Sequence, residues 1–111
     1  MLSRALALII CGLLLTNCAT FSQGAGYVDS GERFGVRVGM PVEEATAILT
    51  RAGLLYPQNY IDNAARCGGR QRAAGETMTI FSDMSRHGGV CLFEASDHVV
   101  AIGWEFYGLT F

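Results

Sequence analysis

Hydrophobic and polar positions along the chain follow two different periods. Glu32-Arg33-Phe34-Gly35-Val36-Arg37-Val38 alternates polar and apolar residues, the period-two pattern of a short strand with one buried face. Gly39-Met40 ends it. From Pro41 the period changes, and Val42, Ala45, Ile48, Leu49 and Ala52 recur at helical spacing. Pro41 suits the first turn of a helix, where its missing N–H costs nothing, and Glu43 and Glu44 favour the positive end of the helix dipole. Gly53 supplies the stop. A second, shorter helix is expected to start at Pro57 and to run through Gln-Asn-Tyr-Ile-Asp-Asn-Ala-Ala-Arg66. A loop rich in glycine and arginine follows it.

The last third reads as an antiparallel meander. Thr77-Met-Thr-Ile-Phe-Ser82 is rich in β-formers, residues 83–89 have turn composition, and Val90-Cys-Leu-Phe-Glu-Ala95 makes a second strand. Ser96-Asp97-His98 turns the chain again. The next run sets Val100, Ile102, Trp104 and Phe106 on one face, and Val99, Ala101, Gly103, Glu105 and Tyr107 on the other. The face carrying the large residues is expected to meet the helix. Together these segments predict an α+β domain, one or two helices packed on a three- to four-stranded antiparallel sheet in the order β-α-(α)-β-β-β. No internal repeat or heptad pattern is present.

An unpatterned apolar run precedes all of this. Arg4 is followed by Ala5-Leu-Ala-Leu-Ile-Ile-Cys-Gly-Leu-Leu-Leu15, with Cys18 just beyond, the layout of an export signal. The run is much shorter than the roughly 20 residues that span a bilayer, so no stable transmembrane helix is expected. The mature protein is then expected outside the cytoplasm. Leu15-Thr16-Asn17-Cys18 resembles the lipobox of bacterial lipoproteins, with Asn17 where Gly, Ala or Ser is usual. The resemblance implies a signal peptide over residues 1–17 and a lipidated Cys18 as the new first residue. Residues 18–30, small and polar through Ala19–Gly26, are expected as a flexible tether, and residues 31–111 as the domain. In lipoproteins of this kind an aspartate after the cysteine retains the protein in the inner membrane. Ala19 stands there, which implies the outer membrane and a face toward the periplasm. Their three acyl chains would anchor more firmly than one chain can. Cleavage as a soluble periplasmic protein is the alternative route.

With Cys11 in the discarded segment and Cys18 at the cleavage point, Cys67 and Cys91 remain. Two thiols in an oxidising compartment predict one disulfide. Closing its loop stabilises the fold by on the order of 3 kcal/mol in the chain-entropy description. A redox site is the competing reading, but no Cys-x-x-Cys and no basic helix start lowers a thiol pKa. All 8 basic residues are arginine, against 10 acids, for a formal charge of -2. That balance gives no electrostatic case for nucleic acid. A chain of 111 residues, less its signal, suits a single domain.

Chemical candidates are sparse. His87, Cys91 and His98 are zinc-ligand types, but the two histidines fall at opposite ends of a proposed strand and a four-ligand set is missing, so no metal is expected. Ser82, Asp83, Ser85, His87, Asp97 and His98 contain the parts of a hydrolase triad without a Gly-x-Ser-x-Gly elbow, and fit turns better. The carboxylate pairs Glu43 with Glu44 and Glu94 with Asp97 are the nearest approach to acid–base chemistry, and the first pair serves the helix start. Gly68-Gly69 and Gly88-Gly89 do not lie between a strand and a helix as a phosphate-cradling loop does. No catalytic residue, cofactor or small-molecule substrate is expected. Arg66, Arg70, Arg72 and Arg86 cluster in the loops flanking Thr77–Ser82, as an ordinary solvated surface or a small partner contact. The C-terminal aromatics can do two jobs. Trp104 and Phe106 suit core packing, while Tyr107, Leu109 and Phe111 are candidates for a partner patch.

Val38-Gly39-Met40-Pro41-Val-Glu-Glu-Ala-Thr-Ala-Ile-Leu49 resembles the small BamE/SmpA-type outer-membrane lipoproteins, in which a Gly-Met turn opens a helix that precedes a three-stranded antiparallel sheet. Asp97-His-Val-Val-Ala-Ile-Gly-Trp104 is similar to that family's closing hydrophobic strand. The resemblance implies a lipid-anchored, non-enzymatic envelope protein acting by protein contact, as an accessory or scaffold in outer-membrane assembly or maintenance. A periplasmic inhibitor that blocks a hydrolase with an exposed loop or sheet face is the alternative. Candidate contact residues are Arg70, Arg72, Arg86, Tyr107 and Phe111.

Overall fold

The change of period at Pro41 marks a real change of structure. A computed structural model describes residues 24–83 and 87–106. Helix α1, Val42–Arg51, buries Ala45 and Leu49 and carries Glu43 and Glu44 in its first turn. Pro41 makes no side-chain cap. Instead the Val42 N–H donates to Asp97 O at 3.0 Å, so backbone from a distant turn satisfies one orphan donor. At the other end Gly53 takes φ 90, its N–H donates to Thr50 O, and the Leu54 N–H donates to Leu49 O. That pair of bonds is a Schellman stop, closed by apolar Leu49 and Leu54 in the same buried cluster.

Ten short elements follow one another: β1 (Gly24–Val28), β2 (Glu32–Arg33), β3 (Val36–Arg37), α1, β4 (Leu55–Tyr60), β5 (Arg66–Cys67), β6 (Arg70–Gln71), β7 (Thr77–Asp83), β8 (Gly88–Ala95) and β9 (His98–Phe106). Five strands make one antiparallel sheet in the order β1-β9-β8-β7-β4. The pairs β2–β3 and β5–β6 are separate hairpins. The architecture is α+β, as the pattern predicted, with one helix and a wider sheet.

Four local expectations are corrected. The alternating stretch over residues 32–38 is a hairpin, not one strand, because Phe34 (φ 56) and Gly35 (φ 80) reverse the chain in a type I′ turn. The second helix from Pro57 is absent: Leu55–Tyr60 is the edge strand β4, paired through Gln58↔Ile80, Asn59↔Thr79 and Tyr60↔Met78. A proline is as compatible with an edge strand as with a helix start. Residues 24–28, assigned to the tether, form β1 and pair in register with β9. Finally, a bulge opposite Phe93/Glu94 leaves Val100 as the extra residue, so Val99 takes its place beside Ile102 and Phe106 in the helix-side core.

Both faces of the sheet are covered. Beneath α1 and the β2–β3 hairpin lie Phe81, Val90, Leu92, Ile102 and Phe106, with Trp104 partly buried. Phe34 meets Trp104 edge-on at 5.7 Å, and the Arg33 guanidinium stacks over the Trp104 ring at 4.2 Å. The opposite face holds a second, smaller core of Cys67, Met78, Cys91, Phe93 and Ala101. Consequently β8 is buried continuously from Gly89 to Phe93. A strand covered on both faces reads as an apolar run, and Val90-Cys-Leu-Phe93 does so.

Candidate functional site

The smaller core owes its cover to the long connection between β4 and β7. Cys67-Gly-Gly-Arg70 closes the β5–β6 hairpin, with φ 65 at Gly68 and φ 89 at Gly69. The predicted disulfide joins Cys67 to Cys91 on the middle strand, with Cα atoms 6.4 Å apart. Glycine is required where the hairpin meets the sheet. A Cβ on Gly68 would lie 1.9 Å from Gly26 O, and one on Gly103 would lie 3.0 Å from Cys67 O.

Arginines hold the connection in shape. Arg70 forks onto Glu76, Nη1 to Oε1 at 2.7 Å and Nη2 to Oε2 at 3.0 Å, and its guanidinium lies 4.4 Å from the Phe93 ring centre. This hydrogen-bonded pair raises the Arg70 pKa above the ordinary arginine value and holds the Glu76 carboxyl below the usual carboxylate range. The Ala73 N–H, also donating to Glu76, adds to the second shift, and burial opposes both. Arg72 donates to Asp62 O, Ala73 O, Glu76 O and Asn63 Oδ1. Both arginines therefore organise the loop. Arg66 is exposed beside them. Arg86, Tyr107 and Phe111, the other candidate contacts, lie outside the described residues, as does Cys18.

Beside the hairpin a cavity of about 500 Å³ opens on the sheet, floored by Ile80, Gly89 and the disulfide and edged by Arg66, His87 and Glu105. Ser82 and Asp83 also border it. The register Gly88↔Phe106 and Ala95↔His98 puts His87 and His98 at opposite ends of the β8–β9 pair, so His98 and Asp97 lie far from His87, whereas Ser82, Asp83 and His87 border the same cavity and Ser85 lies outside the described residues. Among the described residues no cluster of three metal-ligand types occurs. Glu94 is spent on Thr79, whose Oγ1 lies 2.5 Å from Glu94 Oε1 and 2.8 Å from Asn59 Oδ1. Sequence reasoning missed Glu76, Phe93 and Gly103 as parts of this region. The Gly-Gly pair beside Cys67 is the signal that could have found the hairpin.

The two segments that carry the resemblance to BamE/SmpA-type lipoproteins are joined in space. Gly39 N–H donates to Val99 O at 2.7 Å, Val99 N–H donates to Met40 O at 3.0 Å, and Pro41 bridges to His98. Compared with family models, curated proteins and solved structures, the chain has no match.

Proposed function

We propose that the chain is a lipid-anchored envelope protein, held in the outer membrane through Cys18 and acting by contact with another protein in outer-membrane assembly or maintenance. The observation that carries the contact reading is that three of the four exposed large apolar side chains among the described residues lie on or just after the edge strand β4. Leu55 is 40% exposed, Tyr56 66% and Ile61 72%. Large exposed apolar groups along an unpaired sheet edge mark a place for a partner. Tyr56 is held out there at φ 56, a conformation costly for a bulky residue. The patch sits on β4, at the opposite edge of the sheet from β1, where the tether joins. A protein tied to lipid at β1 would hold β4 away from the attachment point. The hydrogen-bonded pairing of the Gly39–Pro41 turn with Asp97–Val99 supports treating the two resembling segments as one unit.

Two measurements test this reading. Intact mass of protein purified from membranes should give a chain starting at acylated Cys18, with two further thiols appearing only on reduction. A chain cut elsewhere without acyl groups would remove the anchor. A photo-crosslinker at Ile61 should capture a barrel-assembly component. Capture of a soluble hydrolase would favour the inhibitor reading in its place.

A further inference from the structure

We propose that residues 62–76 are a redox-latched flap. Reduction of Cys67–Cys91 frees the segment to swing off the sheet as an already folded unit and uncovers Met78, Phe93 and Ala101.

Three observations carry the inference. The first is how the segment is tied. The side-chain bonds of Arg70, Gln71 and Arg72 all end within residues 62–76, on Asp62, Asn63, Ala73 and Glu76. The Ala65, Arg72, Ala73 and Glu76 N–H groups likewise donate within the segment. To the sheet it is attached by the disulfide, by the Gly68 N–H donating to Glu105 Oε1 at 2.9 Å, by Arg70 lying over Phe93, and by the packing of Ala65 and Cys67 against the smaller core. The second is where it leaves the sheet. Tyr60 and Met78 are register partners in β4 and β7, so both ends depart side by side and form a natural hinge. The third is access. Cys67 and Cys91 both border the cavity of about 500 Å³, so a reductant has a way to the sulfurs although each cysteine is only 2% exposed.

The chemistry needs a dithiol, such as a thiol–disulfide oxidoreductase. Its thiolate attacks one sulfur, the S–S bond breaks, and the other cysteine leaves with the electron pair and takes up a proton. The reductant's second thiol then displaces the first cysteine as a thiol, becoming a disulfide itself. Two electrons and two protons pass to the protein, and no bond inside the flap changes. The flap's internal bonds survive, while one hydrogen bond, one stacked guanidinium and the apolar packing of Ala65 and Cys67 remain to hold it down.

Hydrogen exchange resolved to single amides, on the whole protein oxidised and after phosphine reduction, distinguishes the outcomes. The Gly68 N–H should exchange at least about tenfold faster once reduced, with the Arg72 N–H and the β7–β9 amides unchanged. The doubly substituted Cys67→Ser/Cys91→Ser protein should reproduce this without reductant, and reduction of the folded native chain supplies the result should that variant not fold. An unchanged Gly68 N–H would show that the flap needs no latch. Faster exchange at Arg72 would mean that the segment unravels, and faster exchange throughout β7–β9 would mean that the domain opens as a whole. Any of these three results overturns the proposal.

Discussion

Gly103 offers a sharp test of how tightly the hairpin is pressed onto the sheet. The residue lies in β9 and pairs with both Cys91 and Tyr27. Its backbone is outside the left-handed region, so alanine is conformationally acceptable. On that ground alone Gly103→Ala would stabilise the protein by about 0.4–1 kcal/mol, because the unfolded chain loses freedom. Against this, the new Cβ would meet Cys67 O at 3.0 Å, Cys67 Sγ at 3.2 Å and Cys67 C at 3.4 Å. The disulfide holds Cys67 where it is, and overpacking of this kind costs about 1–3 kcal/mol. The expected balance in the oxidised protein is a loss of about 1 kcal/mol, or roughly 0.3–1 M in urea midpoint at the slope of a small domain. In the reduced protein Cys67 can retreat by the few tenths of an ångström required, and the loss should shrink to about zero. Four urea curves, native chain and variant, with and without reductant, give the answer. A higher midpoint for the oxidised variant, or the same loss in both redox states, would refute the reasoning.

Two further perturbations address the larger core and the arginine network. Leu49 is fully buried and also closes the C-terminus of α1, so Leu49→Ala should cost about 3–4 kcal/mol by chemical denaturation. A cost below about 1.5 kcal/mol would mean that α1 is loosely seated. Glu76 has a depressed pKa in the folded state, so its contribution is present above the unfolded carboxylate value and is lost as pH falls through the folded one. An acid titration of stability should therefore lose a component below about pH 4.5 that Glu76→Gln lacks. Identical acid profiles for the two proteins would contradict the pairing with Arg70.

Local signals were legible where they agreed with their tertiary setting. Pro41, the apolar stripe and Gly53 delimit α1 because a helix carries its own start, face and stop in neighbouring residues. The strands β7, β8 and β9 were legible for the same reason, and Cys67–Cys91 followed from the two cysteines that lie beyond the expected signal. Other features depend on residues far away in the chain. Gly24-Ala-Gly26 has the composition of a linker, yet a Cβ at Gly26 would lie 2.6 Å from the Trp104 ring, so its smallness reflects packing. Pro57 satisfies two opposite readings, and only pairing with β7 decides between them. The Val100 bulge leaves no local mark. Arg70 and Arg72 looked like free surface charge because loop arginines usually are. Arg70 instead forks onto Glu76, and three of the four acceptors of Arg72 are backbone carbonyls, to which composition gives no clue.

The pairing of β1 with β9 also sets an order of events. Gly26 lies opposite Trp104, so the first strand of the sheet has the last strand as its only neighbour among the described residues. While the chain emerges from its N-terminal end, β7 and β8 can pair as soon as they appear, but β1 has nothing to pair with until β9 is out. Such a distant contact slows folding through the entropy of closing a long loop. The sheet can therefore be completed only once β9 is available, and β1 remains unpaired until then.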